Sequence, residues 1–289
     1  MIRLSREQIE KLTAVLNQRI EHYSVTTYDD GFRSHLGASL IGHECSRYLW
    51  YVFRWTFKEQ FSGRMRRLFK RGHREEANFI ELLRGAGLMV VDHGEDGNQI
   101  RIKAVNGHFG GSLDGQVTGI TVELNTELGF NLPPMLLEFK TKGTGAGFNN
   151  MVKNGVKLEN KQHYEQMCMY GKHHNLYYAI YMVVNKNDDS LHLEIVTLDH
   201  RVADDALARA EMIINSQQPP RKVSENPAFI TCKLCNAKGI CHEAHPLVKN
   251  CRSCINARPI EDGAWQCSMF GTIPKEYIPA GCDKWIALV

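Results

Sequence analysis

The spacing of apolar residues near the start of the chain predicts a first helix. Ser5 followed by Gln8 has the spacing of a capping box, in which the two residues cap each other's backbone N–H groups. Apolar residues then recur every three or four positions over 5–22, as expected for one face of a helix. These residues are Ile9, Leu12, Val15, Leu16 and Ile20. We predict that this helix is part of the scaffold.

Later segments alternate between helical and strand patterns. Further helices are predicted over 39–55, 73–84, 160–171 and 203–217. Strands are predicted over 87–92, 99–105, 111–119, 135–142, 177–184 and 191–197. The motif GTGAGF at 143–148 lacks the Gly-Lys-Ser/Thr ending of a phosphate-binding loop, so it predicts a flexible loop. The order of elements predicts an α/β fold in residues 1–230, with a mixed central β-sheet flanked by helices.

The predicted strand in PPMLLEFKTK carries charges in an apolar setting. Side chains alternate along a strand, so Glu138 and Lys140 share one face and Phe139 points to the other. The neighbouring strand carries Asp114 near a bend. An Asp-Gly pair is usually a turn and a Glu-x-Lys pair usually a solvated face, but buried charges are costly unless they are paired or bind metal. The pattern therefore indicates two carboxylates that bind a hard divalent cation and a lysine that holds an attacking water, as in metal-assisted phosphodiester hydrolysis.

A basic run precedes two acids in the segment 63–76. The basic residues are Arg64, Arg66, Arg67, Lys70, Arg71 and Arg74. Such a run is most often a solvated helix face. Here it leads to Glu75 and Glu76, and a basic approach to an acidic site suits a substrate with a phosphate backbone.

The predicted helix 160–171 places Gln162, Gln166 and Tyr170 on one face at four-residue spacing. Methionines in the same segment indicate that this helix is largely buried, so its glutamines need hydrogen-bond partners. Either glutamine is a candidate for the site.

Composition limits the class of protein that this chain can be, but it does not identify a binding partner. The 289 residues are 43% hydrophobic, enough for one large domain or a domain with an appendage. A net charge of +3 permits a polyanionic partner and does not require one. The sequence has no apolar stretch long enough to span a bilayer and no secretory signal pattern at its start. We expect a soluble cytoplasmic protein that does not bind membranes.

Nine cysteines in an intracellular protein indicate metal ligands or reactive thiols before disulfides. Two groups of four are predicted. The first is Cys45 with the C-x2-C-x5-C set Cys232, Cys235 and Cys241, and the second is Cys251, Cys254, Cys267 and Cys282. Four-cysteine sites hold zinc or an iron–sulfur cluster, and the spacing alone does not decide between them. His242 and His245 are imidazoles that could replace a cysteine in a zinc site, and Cys168 remains as an ordinary buried thiol.

The order Asp114, Glu138-x-Lys140 and Gln166-x3-Tyr170 resembles the motifs of the PD-(D/E)xK nuclease superfamily, in its RecB-like and lambda-exonuclease-like branch. The segment RGHREEANFIELLRGAG resembles the helix that precedes these motifs in that branch. In the lambda-type pattern an acid follows a glycine by four residues. That spacing selects Glu76, with Glu75 as the alternative.

The cysteine order extends the resemblance to iron–sulfur members, namely the CRISPR-associated adaptation nucleases and AddB. In them one cysteine precedes the nuclease motifs and three follow as C-x2-C-x5-C, which matches the first group in this chain. The likeness covers roughly residues 39–242. The tail 249–289 lies outside it and looks like a small zinc ribbon, as seen in some phage-encoded nucleases.

The resemblance implies a restriction-endonuclease-like core and a role for each motif residue. It implies that Mg2+ or Mn2+ is held by Glu76, Asp114 and Glu138, with the Phe139 carbonyl as a further ligand. Lys140 would position or activate water, Gln166 would steady the site, and Tyr170 would assist. A [4Fe-4S] cluster on the first cysteine group would join the N-terminal region to the segment 231–248, and the tail would hold Zn2+.

These inferences predict a metal-dependent DNA exonuclease for recombination, repair or end processing, located in the host cytoplasm if it is phage-encoded. The basic run would contact the DNA backbone, and an annealing protein or a helicase would be a fitting partner. An endonuclease with the same chemistry is one alternative. Another is a DNA-binding adaptor with structural zinc sites. The motifs favour an enzyme, because a pure binder has no need of Asp114, Glu138 and Lys140 together.

Overall fold

The computed structural model describes residues 3–29, 31–143 and 145–288. The strands are β1 (Leu36–Gly37), β2 (Leu88–Val91), β3 (Arg101–Ala104), β4 (Phe109–Ser112), β5 (Gly115–Ile120), β6 (Met135–Lys142), β7 (Tyr178–Asn185), β8 (Leu191–Thr197), β9 (Ala257–Pro259), β10 (Trp265–Cys267) and β11 (Gly271–Ile273). The helices are α1 (Arg6–Thr27), α2 (Ser46–Phe53), α3 (Gly63–Gly85), α4 (Val122–Leu128), α5 (Ala146–Asn154), α6 (Val156–Glu159), α7 (Lys161–His173), α8 (His200–Asn215), α9 (Ile230–Lys233) and α10 (Lys238–His242). Short 3₁₀ turns lie at Ala38–Leu40, Glu261–Gly263 and Lys275–Tyr277.

A five-stranded sheet in the order β2-β5-β6-β7-β8 forms the centre of the fold. Strands β6 and β7 are parallel, and the other neighbouring pairs are antiparallel. The predicted mixed sheet flanked by helices is therefore confirmed. Two smaller sheets, β1-β4-β3 and β11-β10-β9, lie outside it.

Helices cover the central sheet on both faces, which explains why β6 is apolar on both sides. Phe79, Ile80 and Leu83 of α3 pack on one face, in an apolar cluster that includes Phe139 of β6. Residues of α7 and α8 pack in a second cluster, which includes Leu136 of β6. A strand between two layers must bury both sets of alternate side chains.

Several predicted elements differ in extent from the structure, and the strand predicted over 111–119 is divided into β4 and β5, which belong to different sheets. The basic run does not precede a helix over 73–84, because Ser62 caps the segment by accepting a hydrogen bond from the Met65 N–H, and one continuous helix, α3, begins at Gly63. The helix predicted over 39–55 is shorter, because Cys45 is the N-cap of α2. Within 143–148, predicted as a loop, α5 begins at Ala146, and Thr144 lies outside the described residues.

The tail packs onto the main core and is held there by a buried arginine. The Arg252 guanidinium lies 4.3–4.7 Å from the ring centroids of Phe53, Trp55 and Trp265. It also donates to the Ser34 carbonyl at 3.1 Å. Such cation–π contacts strengthen when water is excluded, so this side chain ties the tail to the N-terminal region. Among the helices of the described ranges, none is both long and apolar enough to cross a membrane.

Candidate active site

The turn between β4 and β5 brings Asp114 beside the middle of β6. Gly115 pairs with Leu137 at the end of the β5–β6 ladder. The Phe139 N–H lies beyond that end, so it has no partner in β5. The Asp114 carboxylate supplies that partner, because its Oδ2 accepts from the Phe139 N–H at 2.6 Å. Burial raises the pKa of Asp114, although the Lys140 charge and this hydrogen bond oppose the shift.

Glu138 is fully buried on the face of β6 that α7 covers. Its carboxylate accepts from the Lys140 ammonium and, at 3.1 Å, from the Gln166 amide. Burial raises the pKa of Glu138; the Lys140 charge lowers it, and the nearby acids Asp114 and Glu76 raise it further. A buried carboxylate surrounded by other acids favours a bound cation, because a cation offsets the repulsion.

Glu76 is the acid that α3 contributes to the site. It is half-buried, and burial together with the Asp114 charge raises its pKa to about 7, while Lys140 opposes the shift. The neighbouring Glu75 pairs with Arg71 at 3.5 Å and turns away from this cluster. The geometry therefore favours Glu76 over Glu75.

Lys140 lies among the three carboxylates and remains charged. Its ammonium contacts Glu138 and donates to the Phe139 carbonyl at 3.1 Å. Burial lowers the pKa of Lys140, but the charges of Glu138 and Asp114 outweigh burial and raise it. A charged donor is thus held next to the cluster of acids.

Helix α7 closes the site with Gln166 and Tyr170, both buried. Gln162 points elsewhere, because its amide donates to the Ser39 carbonyl. Gly111 on β4 leaves room for Tyr170, since a Cβ at that position would collide with the tyrosine hydroxyl. Of the two predicted glutamines, only Gln166 touches the acids.

Beside the site the half-buried His163 contacts the buried Tyr181, a pair that sequence reasoning missed. Nδ1 of His163 lies 2.8 Å from the Tyr181 hydroxyl, and Tyr181 pairs with Glu138 in the parallel β6–β7 register. Burial lowers the pKa of His163 to about 3, and the charges of Lys140 and Lys142 add to the effect, so the imidazole is neutral. The sequence did indicate that His163 faces the site, because it lies one turn before Gln166 on the same helix face.

The acids fit a hard divalent cation in chemistry. Glu76, Asp114 and Glu138 come from three separate elements and offer the oxygen ligands that Mg2+ and Mn2+ prefer. Within the described ranges, however, no three acidic, histidine or cysteine side chains stand in a finished metal-binding arrangement. Asp114 instead accepts a hydrogen bond from the Phe139 N–H, and Glu138 accepts one from the Lys140 ammonium. Each carboxylate keeps further lone pairs that a cation could use.

The first cysteine group lines one cavity. Its members are Cys45, Cys232, Cys235 and Cys241, and Arg47, Lys222 and His242 line the same cavity. Burial raises the pKa of the Cys235 thiol, and the other three thiols of the group raise it further. The charges of Arg47 and Lys222 act in the opposite direction on Cys241. Four thiols with two cations suit a group that binds thiolates, because the cations offset the negative charge.

The second group lines a separate cavity beside the β9–β11 hairpins. Its members are Cys251, Cys254, Cys267 and Cys282. Burial raises the pKa of the Cys251 thiol, and the other three thiols add to the shift. The eight cysteines therefore line two separate cavities, while Cys168 is buried in α7 and His245 stands beside Glu243. The metals themselves remain predictions.

The basic residues of α3 differ in the contacts they make within the fold. Arg66 is buried and pairs with Asp29 at 2.8 Å, and Arg67 pairs with Glu21 at 3.2 Å. Lys70 lies over the Tyr28 ring. These three join α3 to α1 and its C-terminal end. Arg64, Arg71 and Arg74 are also exposed, and Arg71 pairs with Glu75 on the same helix.

Comparisons with known proteins give only distant similarities. No family model matches the chain, and the search of curated proteins finds no match. The crystal structure of SSO0001 is 14% identical, with a TM-score of 0.42 over 80% of this chain and 96% of that chain. LHK-Exo in complex with dAMP is 13% identical, with a TM-score of 0.42 over 62% of this chain and 86% of that chain. The alkaline exonuclease LHK-Exo from Laribacter hongkongensis is 11% identical, with a TM-score of 0.39 over 68% and 90%.

What the structure defines is a mixed α/β protein in which three carboxylates and a lysine meet beside the middle of β6.

Proposed function

We propose that this chain is a metal-dependent deoxyribonuclease. One observation carries the proposal: the fully buried Glu138 meets the half-buried Asp114 and Lys140, and charges out of water are costly unless they are paired or bind metal. Glu76 adds a third carboxylate from α3. The acids would hold Mg2+ or Mn2+, and the exposed arginines of α3 would contact the DNA backbone.

Each residue has a role that follows from its contacts. When bound, the cation would lower the pKa of a water ligand and offset charge on the phosphate. Lys140, held by Glu138, would donate a hydrogen bond to the attacking water or to a phosphate oxygen. Gln166 would orient Glu138 through its amide, and the neutral His163 would fix the Tyr181 hydroxyl behind it.

A cleavage assay on linear and circular DNA tests for nuclease activity and distinguishes an exonuclease from an endonuclease. Anaerobically purified protein is incubated with end-labelled linear DNA and closed circular DNA, with Mg2+, Mn2+ or EDTA. We expect loss of linear DNA that requires the metal and leaves the circle intact, which defines an exonuclease. Cleavage of the circle would assign an endonuclease. DNA binding without cleavage under every metal condition would reject the enzyme and favour the adaptor.

We also propose that the first cysteine group holds a [4Fe-4S] cluster and the second holds Zn2+. The shared cavities support four-ligand sites, and Arg47 and Lys222 support an anionic thiolate-bound group at the first. We expect visible absorption from the anaerobic protein and one zinc per chain by elemental analysis. Cys232→Ser should abolish the absorption and lower Tm, whereas Cys168→Ser should leave the absorption unchanged. Two zinc ions and no absorption would contradict the cluster.

A further inference from the structure

Strand β8 forms one edge of the central sheet, and the backbone groups on its outer side are unpaired. Just past the end of the β7–β8 ladder, the Leu198 N–H donates to the Tyr177 carbonyl at 2.9 Å. Backbone groups alternate in direction along an antiparallel strand, so the even-numbered residues of β8 bond to β7. The N–H and C=O groups of Leu191, Leu193 and Ile195 therefore point outward, and no group among the described residues bonds to them.

The opposite edge of the same sheet is protected, whereas β8 is not. Strand β2 has four residues, its register with β5 shifts between Met89 and Val90, and the Arg84 side chain donates to the Val90 carbonyl at 3.0 Å. Natural proteins protect sheet edges with short strands, bulges, prolines or lysines. Strand β8 has seven residues, LHLEIVT, without proline or lysine, and it pairs with β7 in one unbroken register. Its outer side is therefore open to a further strand.

The side chains of the outward-pointing residues form an apolar stripe. Leu191, Leu193 and Ile195 are 49%, 49% and 52% exposed. In the β7–β8 register they lie beside three β7 residues of the apolar cluster beneath α3. The core on that face of the sheet therefore continues onto β8, where it is half exposed. A further strand would pack its own side chains against this stripe.

We infer that β8 pairs antiparallel with β8 of a second copy of this chain, with the twofold axis at Leu193. Because the backbone groups of Leu193 point outward, the two copies of this residue exchange hydrogen bonds with each other. Leu191 of each copy then lies opposite Ile195 of the other and exchanges hydrogen bonds with it. The stripe is thus symmetric about Leu193, as an isologous interface requires. The two five-stranded sheets become one continuous sheet across the axis.

The polar face of β8 is self-complementary in the same register. His192 of each copy lies opposite Glu194 of the other, in a non-hydrogen-bonded pair, where opposite side chains approach most closely. Nε2 of His192 is buried without a hydrogen-bond partner among the described residues, and Glu194 of the same chain lies 3.6 Å from it. The second copy brings another carboxylate to this imidazole.

The two polar residues also select the position of the axis. Moving the axis by one residue would place His192 opposite His192 or Glu194 opposite Glu194. Like charges directly opposite each other destabilise a strand pair. Only the axis at Leu193 sets each imidazole against a carboxylate, so the sequence of β8 favours this register over its neighbours.

The mass of the full-length protein tests the interface. A strand pair buries less than the roughly 1,200 Å² of a standard stable interface, so we expect a micromolar dissociation constant. Sedimentation of the 32.9 kDa chain should show the monomer when dilute and twice that mass as the concentration rises toward about 1 mM.

Two lysine substitutions place the interface. Leu193→Lys should remain monomeric, because it sets two like charges on the axis. Leu82→Lys makes the same change on α3, at a leucine that is 50% exposed, and should dimerise like wild type. Circular dichroism and thermal melts show that both variants are folded.

Cross-linking tests the register. Leu193→Cys should give a covalent dimer on mild oxidation, because the Cα atoms of a hydrogen-bonded pair are about 5.5 Å apart, within reach of a disulfide. Leu191→Cys is the control, since the two copies of this residue lie four positions apart along the strands, at least about 13 Å. It should cross-link no more than wild type, whose native thiols supply the background.

Three results would overturn the inference. Wild type that is monomeric up to about 1 mM would leave β8 to a strand of another protein. Loss of the dimer in Leu82→Lys and not in Leu193→Lys would move the interface to α3. Equal cross-linking of Leu191→Cys and Leu193→Cys would contradict the axis. None of these readouts depends on nuclease activity, so this inference and the proposed function fail separately.

Discussion

The ring of Phe79 stacks on the ring of Phe139, with the centroids 4.9 Å apart and the planes 30° apart. Phe79 belongs to α3 and Phe139 to β6, so this contact fixes the helix on the central sheet. Glu76 lies three residues before Phe79, and Phe139 lies between Glu138 and Lys140 in the sequence. One apolar contact therefore sets the distance between acids that come from different elements.

Phe79→Ala should lower both stability and activity. Phe79 is 2% exposed, and removing such a ring costs about 3–5 kcal/mol, because the transfer energy is lost and a cavity remains. We expect DNA cleavage to fall as well, since α3 would lose its position over β6. Denaturant unfolding and a cleavage assay below the transition measure the two effects. Phe130→Ala, at a site that is 57% exposed, is the control and should change the unfolding free energy by less than about 0.5 kcal/mol.

Gly111→Ala should disturb the site without touching an acid. The added Cβ would collide with the Tyr170 hydroxyl, so the ring or β4 must move, at a cost of about 1–3 kcal/mol. We expect kcat to fall at least about tenfold, the effect of roughly 1.4 kcal/mol in the barrier. Gly72→Ala is the matched control: its Cβ meets open space in a helix, where alanine is favoured. Full activity of Gly111→Ala would refute a role for the Tyr170 position.

The raised pKa of Glu76 predicts how pH and metal act on stability. A carboxyl whose folded pKa is about 7, against 4.5 ordinarily, favours the folded state below pH 4.5. That contribution is lost as pH rises through about 7, because the folded protein must then hold an uncompensated charge. Metal-free wild type should thus lose about 2–4 °C more in Tm than Glu76→Gln between pH 5.5 and pH 8.

Added Mg2+ or Mn2+ should restore the Tm that wild type loses at pH 8, since the ionised carboxylate is the metal ligand. Cleavage by wild type should rise with pH through the same window. Equal pH dependence of Tm in wild type and Glu76→Gln, with and without metal, would contradict the assignment of Glu76 to the cation.

The different surroundings of Arg66 and Arg74 predict different effects when each is replaced by alanine. Arg74→Ala should weaken DNA binding and lower the salt dependence of affinity by about one released counterion. Arg66→Ala should leave the salt dependence unchanged and lower stability, because it removes the buried partner of Asp29. Fluorescence anisotropy over a salt series, with thermal melts, separates them. A larger change in salt slope for Arg66→Ala than for Arg74→Ala would contradict this distinction.

Local patterns predicted the central strands, because the period-2 alternation of β6 and its apolar flanks depend only on nearby residues. They also predicted that Glu138 and Lys140 would lie side by side, since alternate residues of any strand share a face. The hydrogen bond from the Phe139 N–H to Asp114 could not be predicted. It depends on where the β5–β6 ladder ends, and that register is a long-range property.

The same limit applies to the arginines of α3. Arg66 and Arg74 look alike in the sequence, and only the packing of α1 against α3 buries one and leaves the other in water. The pair of His163 and Tyr181 was missed for a related reason: their contact joins α7 to β7 across 18 positions in the chain. Spacing within a helix indicated which face carries His163, but it did not indicate that Tyr181 of β7 lies against that face.

The most direct test of the central claim compares Asp114→Asn with Asp92→Asn in metal-dependent cleavage of linear DNA. Asp114 is held against the Phe139 N–H inside the site, whereas Asp92 pairs with Arg84 outside it. We predict that Asp114→Asn loses cleavage at least about a thousandfold, the effect of roughly 4 kcal/mol in the barrier, while it still binds DNA. Asp92→Asn should cleave like wild type. Cleavage by Asp114→Asn at the wild-type rate would contradict a metal-dependent nuclease site at Asp114, Glu138 and Lys140.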